Sequence, residues 1–182
     1  MSAHSSASLV AEALRTWQIQ QRSGTQALTG GGQLVVAIDG FGASGKTTIA
    51  EMASTQTGAL MLHTDDCFRE PVTRPGSTPP ISAYYDFDQL RRSVIAAADR
   101  HRAAGPSPRP ALLLEGVGSS AQALRDLITH TVFVETPEPV RLARLHGRIS
   151  PEDWDETWLS AERAYFARRP PESFDLVVAG TV

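Results

Sequence analysis

A chain of 182 residues, 41% of them hydrophobic and 20% charged, is long enough to bury one core of its own, and its net charge of −3 gives no electrostatic pull toward nucleic acid or anionic membranes. The single cysteine, Cys67, rules out an internal disulfide and suits a reducing cytoplasm, and the five histidines are scattered without metal-ligand spacing, so a structural zinc site is not expected. Met1 to Val10 lack a basic stretch followed by a continuous apolar run, and no later segment approaches membrane-spanning length, so neither a secretory signal nor a membrane anchor is expected.

Leu9, Val10, Ala13, Leu14 and Trp17 recur at helical spacing, which predicts an amphipathic helix over about residues 6–22. Residues 23–32, with three consecutive glycines, read as a linker. The apolar run from Leu34 to Asp39 predicts the first strand and leads straight into Gly40, Phe41, Gly42, Ala43, Ser44, Gly45, Lys46 and Thr47. This stretch satisfies the phosphate-binding pattern G-x-x-x-x-G-K-[ST] at every required position, with a strand before it and a helix-competent run from Thr48 after it. Gly40, Gly42 and Gly45 permit backbone geometries that side chains forbid, so successive N–H groups can turn inward around phosphate oxygens at a helix N-terminus. Lys46 is expected to reach the β- and γ-phosphates and the Thr47 hydroxyl to bind Mg²⁺. A glycine-rich turn that binds nothing is the alternative; the full pattern and both flanks argue against it. Every basic residue but one is Arg, and the exception is Lys46, where a compact ammonium on a flexible stem suits phosphate better than a planar fork.

Residues 59–63 read as a short buried strand that runs into Thr64, Asp65 and Asp66. In open α/β sheets the ligand crevice lies beyond the carboxyl ends of the strands, which makes both aspartates candidates. An extended segment points successive side chains to opposite sides, so only one of the two is expected to face the crevice. His63 and Cys67 read as packed neighbours. Residues 69–88 hold four prolines and little periodicity; a loop this long inside a domain is usually functional, and it is taken to cover an acceptor. A helix over about 87–104, a stiff Pro-rich connector and a buried strand over 111–115 follow, the strand closing in Glu115. A helix over about 120–128 and a strand over 131–135 come next, and Pro137 and Pro139 suit the start of another helix. Arg141, Arg144 and Arg148 then share one helical face, equally a cationic lid or a solvated surface. Ser150 to Asp153 resemble a capping box for a helix carrying Trp154, Trp158, Glu162 and Tyr165 in one stripe. The stripe reads as core packing rather than a base-stacking platform, with Glu162 as the member that packing does not explain. A last strand over 174–178 closes the chain. Strands alternating with helices predict one α/β domain over residues 1–182: a P-loop NTPase three-layer αβα sandwich on a five-stranded, mostly parallel sheet, with a lid region over 141–165.

The chain contains no Asn and so lacks the Asn-Lys-x-Asp guanine reader of GTP-binding switches. From Leu34 to the C-terminus it resembles the uridine kinase family of P-loop nucleoside kinases, and the Trp154, Trp158, Glu162, Tyr165 stripe resembles that family's actinobacterial relatives. Thr64 to Arg69 is similar to the family segment whose Asp supplies the catalytic base, which implies that role for Asp65; Cys67 and Phe68 stand where the family has Phe and Tyr. Tyr84, Tyr85, Asp86, Phe87 and Asp88 are similar to the segment whose Asp holds the sugar hydroxyls, which implies Asp86 with Tyr85 beside it. Leu114 to Val117 resembles the family's Glu-Gly-Ile segment, and Arg141, Arg144 and Arg148 fall where its lid arginines lie. The resemblance implies transfer of the γ-phosphate of ATP to a hydroxyl of a nucleoside or similar metabolite. Lys46 and the arginines would stabilise the transferring group, Thr47 and Glu115 would organise Mg²⁺, and Asp66, Tyr85, Asp86 and Glu115 would line the acceptor side. A nucleotide-binding regulatory or assembly NTPase with little acceptor-dependent turnover stays open as a second reading.

Overall fold

Five strands, β1 (Val35–Asp39), β2 (Leu60–His63), β3 (Leu112–Glu115), β4 (His130–Glu135) and β5 (Leu176–Ala179), form one sheet in the order β2-β3-β1-β4-β5 in the computed structural model. The structure describes residues 2–23, 32–72, 77–103, 110–148 and 156–180. All four strand pairings are parallel, and β1 sits at the centre. A parallel sheet is covered on both faces, which is why β1 and β3 read as unbroken apolar runs.

The two faces divide the residues by strand alternation. Val36 and Ile38 of β1, Leu113 of β3 and Val132 and Val134 of β4 pack against α1 (Ala3–Arg22) and α2 (Lys46–Thr57) through Val10, Leu14, Ile49 and Ala53. Val35, Leu112 and Leu114 face the other way onto Leu90, Val94 and Ala97 of α3 (Phe87–Ala103). Beyond them Phe133 meets Ala161 and Phe166 of α5 (Glu156–Phe166), in a cluster that also holds Tyr84 and Tyr85. The Ser2 hydroxyl caps α1 by accepting the Ser5 N–H, and α2 ends where Gly58 takes a left-handed conformation and its N–H returns to the Ser54 carbonyl. Pro139 lies in the first turn of α4 (Glu138–His146), where its missing N–H costs nothing.

Register sets the position of the site. Ile38 of β1 and His63 of β2 both lie opposite Glu115 of β3, so the three strands end at one level and the chain leaves them on one edge at Asp39, Thr64 and Gly116.

Three expectations change. Residues 120–128 form no α-helix; successive turns with a short 3₁₀ segment at Gln122–Leu124 replace it, because the Ser120 N–H and hydroxyl and the Gly118 N–H are all committed to the Asp39 carboxylate. The segment after His63 is not extended but curls into a 3₁₀ turn, Thr64–Cys67, so strict alternation of Asp65 and Asp66 does not apply. Arg148 lies past the end of α4, exposed, and leaves the row of three. The capping box at 150–153, Trp154 and most of the 23–32 linker lie outside the described residues. Among the described residues no helix is long and apolar enough to cross a membrane.

Candidate active site

The loop between β1 and α2 is built for an anion. Gly40 has φ +147°, and a Cβ there would stand 2.6 Å from the Val134 carbonyl oxygen, so this turn admits only glycine. Ala43 holds φ +58°, a left-handed conformation uncommon for a residue with a side chain. The Ser44 N–H returns to the Phe41 carbonyl at 3.2 Å and α2 opens at Lys46, aiming its free N–H groups into the loop. The Lys46 ammonium is buried and donates to the Phe41 carbonyl at 2.8 Å.

Asp39, the last residue of β1, fixes the loop from beneath. Its carboxylate is fully buried and accepts the Gly40 N–H at 2.8 Å, the Gly118 N–H at 3.0 Å, the Ser120 N–H at 3.1 Å, the Ser120 hydroxyl at 2.5 Å and the Tyr165 hydroxyl at 2.9 Å. Burial and the Asp39 charge push the Tyr165 phenol well above its ordinary range, so it stays a donor. One carboxylate thus ties together the P-loop, the turn after β3 and α5. Asp39→Asn turns half of that acceptor into a donor facing other donors, which should cost about 3 kcal/mol. At ~2–4 °C per kcal/mol for a chain of this size, the melting temperature should fall by about 6–12 °C. A loss within a degree or two in a thermal melt would contradict the assignment.

At the carboxyl edge, Thr47 Oγ1 donates to Glu115 Oε1 at 3.1 Å and His63 Nδ1 lies 3.0 Å from Glu115 Oε2. A hydroxyl and a carboxylate at the mouth of the P-loop are oxygen donors of the kind Mg²⁺ takes, since Mg²⁺ keeps water and substrate phosphates for its other positions. Among the described residues no three His, Cys, Asp or Glu side chains form a metal cluster of their own. His63, read from sequence as a packed neighbour, lies against Glu115 at hydrogen-bond distance; their opposition across β2 and β3 depends on strand order.

Next along the edge, Asp65 and Asp66 are both exposed in their 3₁₀ turn. Asp65 is the one that meets the site, with the Tyr85 hydroxyl 3.4 Å from Oδ1; burial, then the Asp65 charge, raises the Tyr85 phenol well above its ordinary range. Asp86 does structural work, its Oδ1 accepting the Gln89 N–H at 2.8 Å to cap α3. Phe68, Tyr84, Tyr85 and Trp158 form an aromatic wall above Asp65, with Trp158 edge-on to Tyr84 at 4.9 Å and 6.1 Å from Phe68.

On the far side of the loop, Arg144 donates to the Ala43 carbonyl at 3.0 Å, and the buried Arg141 lies over the Phe41 ring at 4.3 Å with Nη1 3.5 Å from the Gly42 carbonyl. Glu162 of α5 is fully buried and its Oε1 accepts the Gly42 N–H at 2.8 Å. A carboxylate oxygen therefore stands against a loop N–H, an observation that fits a site made for phosphate oxygens.

No protein-family model and no curated protein sequence matches the chain. Solved structures do. A possible uridine kinase from Bacillus stearothermophilus matches 91% of this chain and 98% of its own, with a TM-score of 0.57 and 20% identity. A sugar kinase from a Janibacter species matches 81% of this chain and 85% of its own, with a TM-score of 0.54 and 19% identity. The chain shares their fold. At these identities the likeness is one of P-loop α/β architecture, and the side-chain geometry above stands beside it. Of the residues singled out from sequence, Glu115, Arg141 and Arg144 contact the loop of Gly40 to Thr48, Asp65 contacts Tyr85, Asp86 caps α3 with its own N–H on the Cys67 carbonyl of the Asp65 turn, and Arg148 lies exposed past the end of α4.

Proposed function

We propose that this chain is a Mg²⁺·ATP-dependent phosphotransferase of a reducing cytoplasm that moves the γ-phosphoryl group of ATP to a hydroxyl of a small molecule, a nucleoside or similar metabolite. The observation that carries this reading is the alignment of three strand ends. It sets Lys46, the Thr47–Glu115 pair and Asp65 on one edge, with aromatic rings on the acceptor side. Mg²⁺ bound there would neutralise charge on the phosphates. Lys46 and the loop N–H groups hold the phosphate oxygens in place. Asp65 accepts the proton of the acceptor hydroxyl as its oxygen bonds to the γ-phosphorus and the bond to ADP breaks. Phe68, half-exposed, offers one apolar ring for a nucleobase-sized ring to pack against. Nucleic acid and membranes have no part in this reading.

A coupled ADP-release screen over nucleosides, sugars and vitamins tests it. At least one acceptor should raise ADP release well above the rate with water alone. Background release with every acceptor, while ATP still binds, would favour a regulatory or assembly NTPase. The arginines are expected to separate in the same assay. Arg144→Ala should lower turnover by about tenfold or more with a smaller change in ATP affinity, because a lid charge acts mostly on the transition state. Arg148→Ala should stay within about twofold of wild type. Equal effects of the two would remove the lid role from Arg144.

A further inference from the structure

Among the described residues, Glu162 is the one acid whose burial neither packing nor the proposed reaction accounts for. It lies on the inner stripe of α5 between Trp158 and Tyr165, fully buried, with Oε1 on the Gly42 N–H at 2.8 Å. The approach is close: a Cβ on Gly42 would stand 3.0 Å from that oxygen. Burial raises the Glu162 carboxyl above its ordinary value against the pull of Lys46, the Gly42 N–H, Arg141 and the Trp158 indole. A carboxylate is costly in such a place unless donors compensate it, and the donors here are the loop N–H and the cations that phosphate would use.

We propose that Glu162 is an internal competitor for the P-loop: its carboxylate takes the place of a phosphate oxygen at Gly42, and Mg²⁺·ATP binds as α5 withdraws it. The inference rests on the P-loop being a nucleotide site, as proposed above, and adds how that site is gated. The same helix carries Trp158, edge-on to Tyr84 at 4.9 Å in the aromatic wall, and is held at its other end by the Tyr165 hydroxyl on Asp39. Withdrawing Glu162 while Tyr165 stays anchored swings the Trp158 end outward. Nucleotide entry therefore opens the acceptor side, and the two substrates are coupled through one helix.

Glu162→Gln keeps the shape and one carbonyl acceptor for Gly42 but removes the charge, and charge-assisted hydrogen bonds are roughly twice as strong as neutral ones. The weakened competitor should let Mg²⁺·ATP bind about tenfold more tightly by titration calorimetry. A folded Glu162→Gln protein with unchanged or weaker affinity would overturn the proposal, since Glu162 would then hold the nucleotide site rather than compete for it. A second arm leaves Glu162 untouched. The protein carrying Trp17→Phe and Trp154→Phe keeps Trp158 as its single tryptophan, and its emission should shift as Mg²⁺·ATP saturates. An unmoved Trp158 signal at saturation would also overturn the proposal. If neither the wild type nor the variant binds Mg²⁺·ATP, the P-loop reading itself fails and the gate falls with it.

Discussion

Lys46→Ala should abolish most phosphoryl transfer, lowering turnover by at least about 10²- to 10³-fold, the range found when one preorganised donor to a developing charge is removed. Nothing else in the site replaces it. Arg141 and Arg144 reach the loop from its far side, at the Gly42 and Ala43 carbonyls, and no other lysine exists in the chain. The ammonium is also part of the apo structure, donating to the Phe41 carbonyl and lying near Glu162. Its loss should therefore cost about 1–3 kcal/mol of stability. A thermal melt separates the two effects. A folded Lys46→Ala protein that transfers phosphate at a near-wild-type rate would show that the loop is not the phosphate site.

The second large effect is expected at Asp65. A positioned general base contributes about 10²- to 10⁴-fold, or roughly 3–5 kcal/mol of barrier. Asp65→Asn keeps an oxygen for the Tyr85 hydroxyl and so preserves the local shape, but it cannot take the acceptor proton. Turnover should fall by at least about 10²-fold while ATP affinity changes little, the signature of an interaction used in the transition state. Asp66→Asn, a neighbour in the same 3₁₀ turn without the Tyr85 contact, should cost far less. Steady-state kinetics on the best acceptor from the screen makes the comparison. Equal, small losses would mean that neither aspartate is the base, and a large loss at Asp66 alone would move the role by one residue.

The architecture was legible because its signals are local. Unbroken apolar runs mark parallel strands, and the described strands begin and end within two residues of those runs, although β2, expected to be buried, is an edge strand with Leu60 exposed. The P-loop is likewise contiguous, so its residues can be read together. What escaped depends on contacts distant in the chain. Residues 120–128 look helix-competent in isolation, yet Asp39, some 80 residues earlier, takes the donors of Gly118 and Ser120. His63 is joined to Glu115 only because β2 and β3 pair. Glu162 stood out as an unexplained polar member of an aromatic stripe, but its partner, the Gly42 N–H, lies 120 positions away. The separation of Arg148 from Arg141 and Arg144 follows from where α4 stops, at His146, a boundary that i, i+3 and i+4 spacing does not encode.

The most direct measurement of the central claim follows the phosphate itself. Wild-type protein, Mg²⁺ and γ-labelled ATP are incubated with the acceptor pool and the products separated. The account expects label in a new phosphate ester of an acceptor hydroxyl, in a yield that Lys46→Ala removes. Label recovered only as ATP or inorganic phosphate, with every acceptor class present, would contradict it.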